Sequence, residues 1–105
     1  MSWIYLILAG LFEIGWPVGL KMAQQNETRV VGIISAVVFM VVSGLFLWLA
    51  QKQIPIGTSY AIWTGIGAAG TFLVGIVFYG DPASLGRYLG VALIVAGVAT
   101  LKLAH

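Results

Sequence analysis

Glu13 is an acid in the middle of an apolar run, and a carboxylate there has to be answered by a proton or a cation. The run extends from Trp3 to Leu20. At bilayer mid-depth an acidic side chain costs about 2.5–3.5 kcal/mol on insertion scales. Glutamate is also too short to reach the headgroups, as lysine and arginine do by snorkelling. A membrane protein that keeps such a residue usually binds a cation with it, a proton with it, or both. Trp16 and Pro17 follow at i+3 and i+4, on the same helical face. An indole there can attract a cation to its π-face or donate its N–H to the carboxylate. The same position also fits an interfacial anchor.

The stretch Gly57–Gly70 is chemically the richest. Tyr60 and Trp63 share a face at i+3, continued by Gly67, Gly70 and Val74. As residues near the start of an apolar segment, both aromatics also fit a membrane belt. An adjacent stripe of Gly57, Ala61, Thr64, Ala68, Thr71 and Gly75 consists of small residues, which permit close helix approach in lipid. Gly65, Gly67 and Gly70 predict a locally flexible helix suited to alternating access, with tight packing as the equal alternative. Gly65–Gly70 matches G-x-G-x-x-G, but it lies inside an apolar span without the strand and helix start that a dinucleotide site requires. Ser35 and Ser43 fit hydrogen bonds between helices. Gly90 and Gly97, two turns apart, mark a contact face that fits a dimer interface. Lys21, Glu27, Arg29, Lys52, Asp81, Arg87 and Lys102 read as solvated or snorkelling charges. A lone His105 has no partner for metal binding, and no nucleophile–base pair points to an enzyme.

These residues need a membrane-embedded frame. The chain of 105 residues is 61% hydrophobic and 8% charged, against roughly 25% charged in soluble domains. Its five basic residues are scattered, which argues against nucleic acid as a partner. Cysteine is absent, so disulfides and thiolate metal sites are excluded. Runs of about 17–25 apolar residues cross the hydrocarbon core. Four are expected, over 3–20, 30–50, 56–79 and 83–103, forming a single four-helix transmembrane domain over 1–105 with short polar turns. The first lacks a basic leader and carries Glu13, so it reads as a retained span, not a signal peptide.

Four spans put Lys52 and Lys102 on one side and Lys21, Arg29 and Arg87 on the other. This near-balance biases orientation only weakly. It is compatible with copies inserted both ways up and pairing as an antiparallel homodimer, or with one fixed orientation. An antiparallel pair would supply the inverted repeat that many transporters build around a midplane site.

Glu13-Ile-Gly-Trp16, Gly10 and the segment Pro55-Ile-Gly-Thr-Ser-Tyr-Ala-Ile-Trp-Thr-Gly-Ile-Gly resemble the small multidrug resistance family of bacterial inner-membrane exporters, in its guanidinium-exporting subtype. The resemblance covers essentially the whole chain. It implies an antiparallel homodimer in which Glu13 binds protons and substrate, assisted by Trp16, Ser43, Tyr60 and Trp63. It further implies a fourth-span dimer contact at Gly90 and Gly97, and no cofactor beyond the proton gradient. Pro17 departs from the family pattern, where a small residue such as alanine is more usual. It cannot donate a backbone hydrogen bond, and a kink in the first helix beside the site is expected. The function expected is proton-coupled export of guanidinium. The rival readings are export of quaternary ammonium or lipophilic cations by the same fold, a passive cation or proton channel, and a non-transport assembly subunit.

Overall fold

The computed structural model describes residues 1–104; His105, and with it the expectation that it binds no metal, lies outside the described residues. Five α-helices and one 3-10 turn account for nearly all of them: α1 Ser2–Glu13, α2 Gly15–Ala23, a 3-10 turn Asn26–Thr28, α3 Arg29–Ala50, α4 Ile56–Tyr79 and α5 Leu85–Ala104. Helices α1 and α2 form one rod, so four stretches are long and apolar enough to cross a membrane, at 22, 25, 24 and 20 residues. At 1.5 Å per residue the shortest already spans the hydrocarbon thickness of about 30 Å. The expected all-α architecture of four membrane-spanning helices per chain is therefore present.

The first rod is interrupted at Ile14, and Pro17 supplies the reason. Proline has no N–H to give to the carbonyl four residues back, and its ring crowds that carbonyl. That carbonyl belongs to Glu13. The backbone adjusts locally, with the Ile14 N–H donating to Leu11 O at 3.3 Å. Ile14 itself stays right-handed helical, at φ −63° and ψ −32°. The rod thus continues, but it can change neighbours at this point.

It does so. Helix α1 packs against both α3 and α4, whereas α2 packs mainly against α3 and makes little contact with α4. Two glycines weld α2 to α3. A Cβ on Gly19 would meet Ala36 N at 2.7 Å and Gly32 O at 2.8 Å, and one on Gly32 would meet Ala23 N at 2.5 Å. The backbones touch, as small residues allow between helices in lipid. Helix α4 therefore follows α1 and then parts from α2, leaving a wedge-shaped groove. Helix α5 packs mainly on α4, with Lys102 Nζ 5.1 Å from the Trp3 ring centroid of α1, and has no buried residue. The four rods lie side by side in a slab of 44 × 34 × 16 Å.

The small core is at the α1 end, where Leu6, Ala50, Ile54 and Ile62 pack together. At the opposite end of α4, Gly80 adopts φ +68° and reverses the chain. It is the one positive-φ residue among those described.

Candidate cation-binding site

Glu13 is the last residue of α1, half-buried, and its side chain is directed at α4. A glycine faces it. A Cβ on Gly67 would stand 2.5 Å from Glu13 Cγ and 3.2 Å from its Cβ. The absent methyl group is the space in which the acid lies. Trp16 lies one turn along the rod, on the same helical face as Glu13.

A second set of contacts closes on the other side. The buried Ser43 hydroxyl donates to Ala9 O at 2.7 Å. Trp63 Nε1 donates to Ser43 Oγ at 2.8 Å. Ala9 is four residues before Glu13, and Trp63 is four before Gly67, about 6 Å along each helix. Ser43 on α3 therefore ties α1 to α4 one turn away from the acid. Its single hydroxyl acts as donor and acceptor at once, so no buried polar atom of the link is orphaned. Tyr60 is more than half exposed and tilts against Trp63, ring centroids 5.3 Å apart. Glu13 and Trp16 thus form one group, and Ser43, Trp63 and Tyr60 form a second group joined to it through α1 and α4.

The groove between α2 and α4 starts at Glu13. Its inner lobe, about 370 Å³, is lined by Glu13, Pro17, Thr64, Gly67, Thr71 and Asp81, among others. An outer lobe continues past Pro17 and Thr71 to Lys21, Tyr79 and Asp81. The small-residue stripe read as a helix-packing surface faces this opening at Thr64, Ala68 and Thr71. The neighbours are received by the other glycines of α4. Gly65 accommodates Val98 of α5, Gly67 accommodates Glu13, and Gly70 accommodates Ile14. Helix α4 runs unbroken through all three, so their visible use is close packing. A methyl group on Gly90 or Gly97 would meet nothing within 4 Å, and both glycines stand on the outer surface of α5.

Sequence reasoning gave Gly67 as a flexibility glycine on the face of Tyr60 and Trp63 and missed that it cradles Glu13. Asp81, read as a solvated charge, is exposed and also borders the groove. A partial signal existed in the seven-residue spacing of Thr64 and Thr71, which puts two hydroxyls on one helical face.

Residues 1–94 match the family described as Small Multidrug Resistance protein. A guanidinium exporter of Yersinia pseudotuberculosis is 48% identical over 104 residues, covering 99% of each chain. One of Proteus vulgaris is 50% identical over the same length and coverage. That of Salmonella typhimurium strain LT2 is 48% identical over 103 residues, 98% of this chain and 97% of the relative. The chain belongs to the small multidrug resistance family. This small multidrug resistance protein is accordingly a multi-pass protein of the bacterial inner membrane, from a family of transporters and not of enzymes.

Proposed function

We propose that this protein exports guanidinium ions in exchange for protons, with Glu13 as the shared binding group, and that it works as an antiparallel homodimer. The observation that carries the reading is the Glu13 side chain, seated against Gly67 at the apex of an open groove. The names of relatives about half identical over nearly the full chain support guanidinium as the cation.

Guanidinium is planar, does not readily lose its proton, and presents paired N–H donors that match a carboxylate in bidentate fashion. It needs flat, polar-edged space more than volume. Trp16 beside the acid supplies a π-face and occupies room that a bulky quaternary ammonium ion would need. The Ser43–Trp63 link ties α1, α3 and α4 together one turn from the acid. A proton and guanidinium compete for the same carboxylate oxygens, so binding of either releases the other. If only a loaded site passes between inward- and outward-open forms, the inward proton gradient drives guanidinium out. Two Glu13 carboxylates in a dimer permit two protons per guanidinium.

The flat slab supports the dimer. One chain leaves the groove open along its length, and in a bilayer an uncovered Glu13 would face lipid at the cost given above. A second, inverted copy laid over that face would cover the acid and bring a second Glu13 into the same space. Gly90 and Gly97 lie on either side of the midpoint of α5. In an antiparallel pair of these helices each glycine meets the other's position.

The test is transport by purified protein in liposomes. An imposed pH gradient should drive guanidinium uphill, with little uptake of tetraalkylammonium. Glu13→Gln should reduce coupled uptake at least about a hundredfold, a loss of some 2.7 kcal/mol or more, while the dimer remains assembled. Guanidinium flux that no pH gradient can drive uphill would point to a channel, and robust coupled uptake by the Gln variant would remove Glu13 from the mechanism.

A further inference from the structure

We propose that Asp81 is a second cation-handling carboxylate, which captures guanidinium at the mouth of the groove and passes it to Glu13 at the apex. The inference rests on the exporter reading above. An acid in an ordinary polar turn projects into water, away from the preceding helix. Here the left-handed Gly80 folds the chain back, and the Asp81 N–H donates to Gly75 O at 3.1 Å. The carboxylate then returns along α4, with Oδ2 in the space that a Cβ on Gly75 would need. Gly75 is to Asp81 what Gly67 is to Glu13: a missing methyl group two turns further along the same helix.

The last carbonyls of α4 carry the negative end of the helix dipole, and Asp81 is laid against them. Carboxylate and carbonyls together place negative charge at the groove mouth, which Lys21 also lines. Low-dielectric walls concentrate such a field and raise the local concentration of cations. The nearby basic residues are turned to aromatic rings. Lys21 Nζ stands 5.9 Å from the centroid of Tyr79, and the Arg87 guanidinium stands 5.3 Å from that of Phe72. Phe72 is itself a wall of the inner lobe, so a guanidinium group already rests on an aromatic face bordering this groove.

Continuity is the remaining requirement. Asp81 lines both lobes, as do Pro17 and Thr71, while Glu13 lines the inner one. A cation held at Asp81 therefore shares one open lobe with Glu13, with Thr64 and Thr71 also on its lining. In an antiparallel dimer the two copies of Asp81 would sit at opposite membrane faces, giving each mouth the same capture group.

The experiment compares initial rates of guanidinium exchange in liposomes for wild type, Asp81→Asn, Asp81→Glu and Gly75→Ala, at low and at high ionic strength. Asp81→Asn should raise KM roughly three- to tenfold at low salt, within the range of electrostatic steering, and leave the maximal rate within about twofold. The difference should fade as the screening length shortens from about 30 Å at 0.01 M to about 3 Å at 1 M. Asp81→Glu should stay near wild type. Gly75→Ala keeps the charge but displaces the carboxylate, so its KM should rise in the same way. An unchanged KM in Asp81→Asn at low salt overturns the inference alone, provided wild type exchanges guanidinium. A salt-independent loss of maximal rate shared by Asp81→Asn and Asp81→Glu also overturns it, leaving Asp81 a turn residue. Absence of guanidinium exchange by wild type overturns the exporter reading, and this inference with it.

Discussion

At the scale of single residues, the site depends as much on an atom that is missing as on those present. Glu13 was legible in the sequence because an acid inside an apolar run has no inexpensive explanation. Gly67 was not, because glycine in a membrane helix serves packing, bending and cradling with the same letter. Only the contact with Glu13 Cγ distinguishes the three. Gly67→Ala should therefore act on the site and not on the helix. Alanine is the better helix former by about 1 kcal/mol, yet its methyl group would displace the Glu13 side chain, at a cost of roughly 1–3 kcal/mol. The expected result is guanidinium binding weakened about tenfold to a hundredfold, with helix content and assembly retained. Calorimetric titration of the variant checks this, and unaltered affinity would mean that Glu13 does not use the cradle. Ser43 and Trp63 were ambiguous for a different reason: a serine in a span and an aromatic near its start are each ordinary. Their mutual hydrogen bond, and the bond to Ala9 O, appear only once three helices are brought together.

At the scale of elements, the four spans were legible because length and apolarity alone determine what can cross a bilayer as a helix. What could not be read was which small-residue face meets a neighbour. Both faces of α4 are rich in glycine, alanine and threonine. In the structure Gly65, Gly67 and Gly70 receive side chains from α5 and the first rod, whereas Thr64, Ala68 and Thr71 border open space. Pro17 illustrates the reverse case, a local rule with a consequence for architecture. Its missing N–H loosens the rod at Ile14, and beyond that point the rod follows α3 and keeps little contact with α4. The groove is the result. Helix α5 lends itself to a direct test, because the chain has no cysteine to interfere. If the α5 helices pair antiparallel, a Gly90→Cys copy mixed with a Gly97→Cys copy should cross-link efficiently with a short bifunctional reagent. Either variant alone should cross-link weakly. Strong self-cross-linking of each variant would indicate a parallel pair.

At the scale of the whole molecule, a slab only 16 Å thick leaves the groove open on one side. The near-balance of basic residues between the two faces removes a strong preference for one orientation, and the open groove gives two orientations a reason to meet. The family was legible from Glu13–Trp16 and the Pro55–Gly67 segment, and similarity over residues 1–94 places the chain in it. The wedge was not legible, since it depends on how far α2 and α4 diverge, nor was the return of Asp81 to its mouth, which depends on the Gly80 turn. The central claim is that a proton and guanidinium compete for Glu13, and it can be measured without a membrane. Guanidinium titrated into weakly buffered, detergent-solubilised protein should release protons in a saturable manner, and Glu13→Gln should release none. Guanidinium binding to wild type with no proton release would contradict the account.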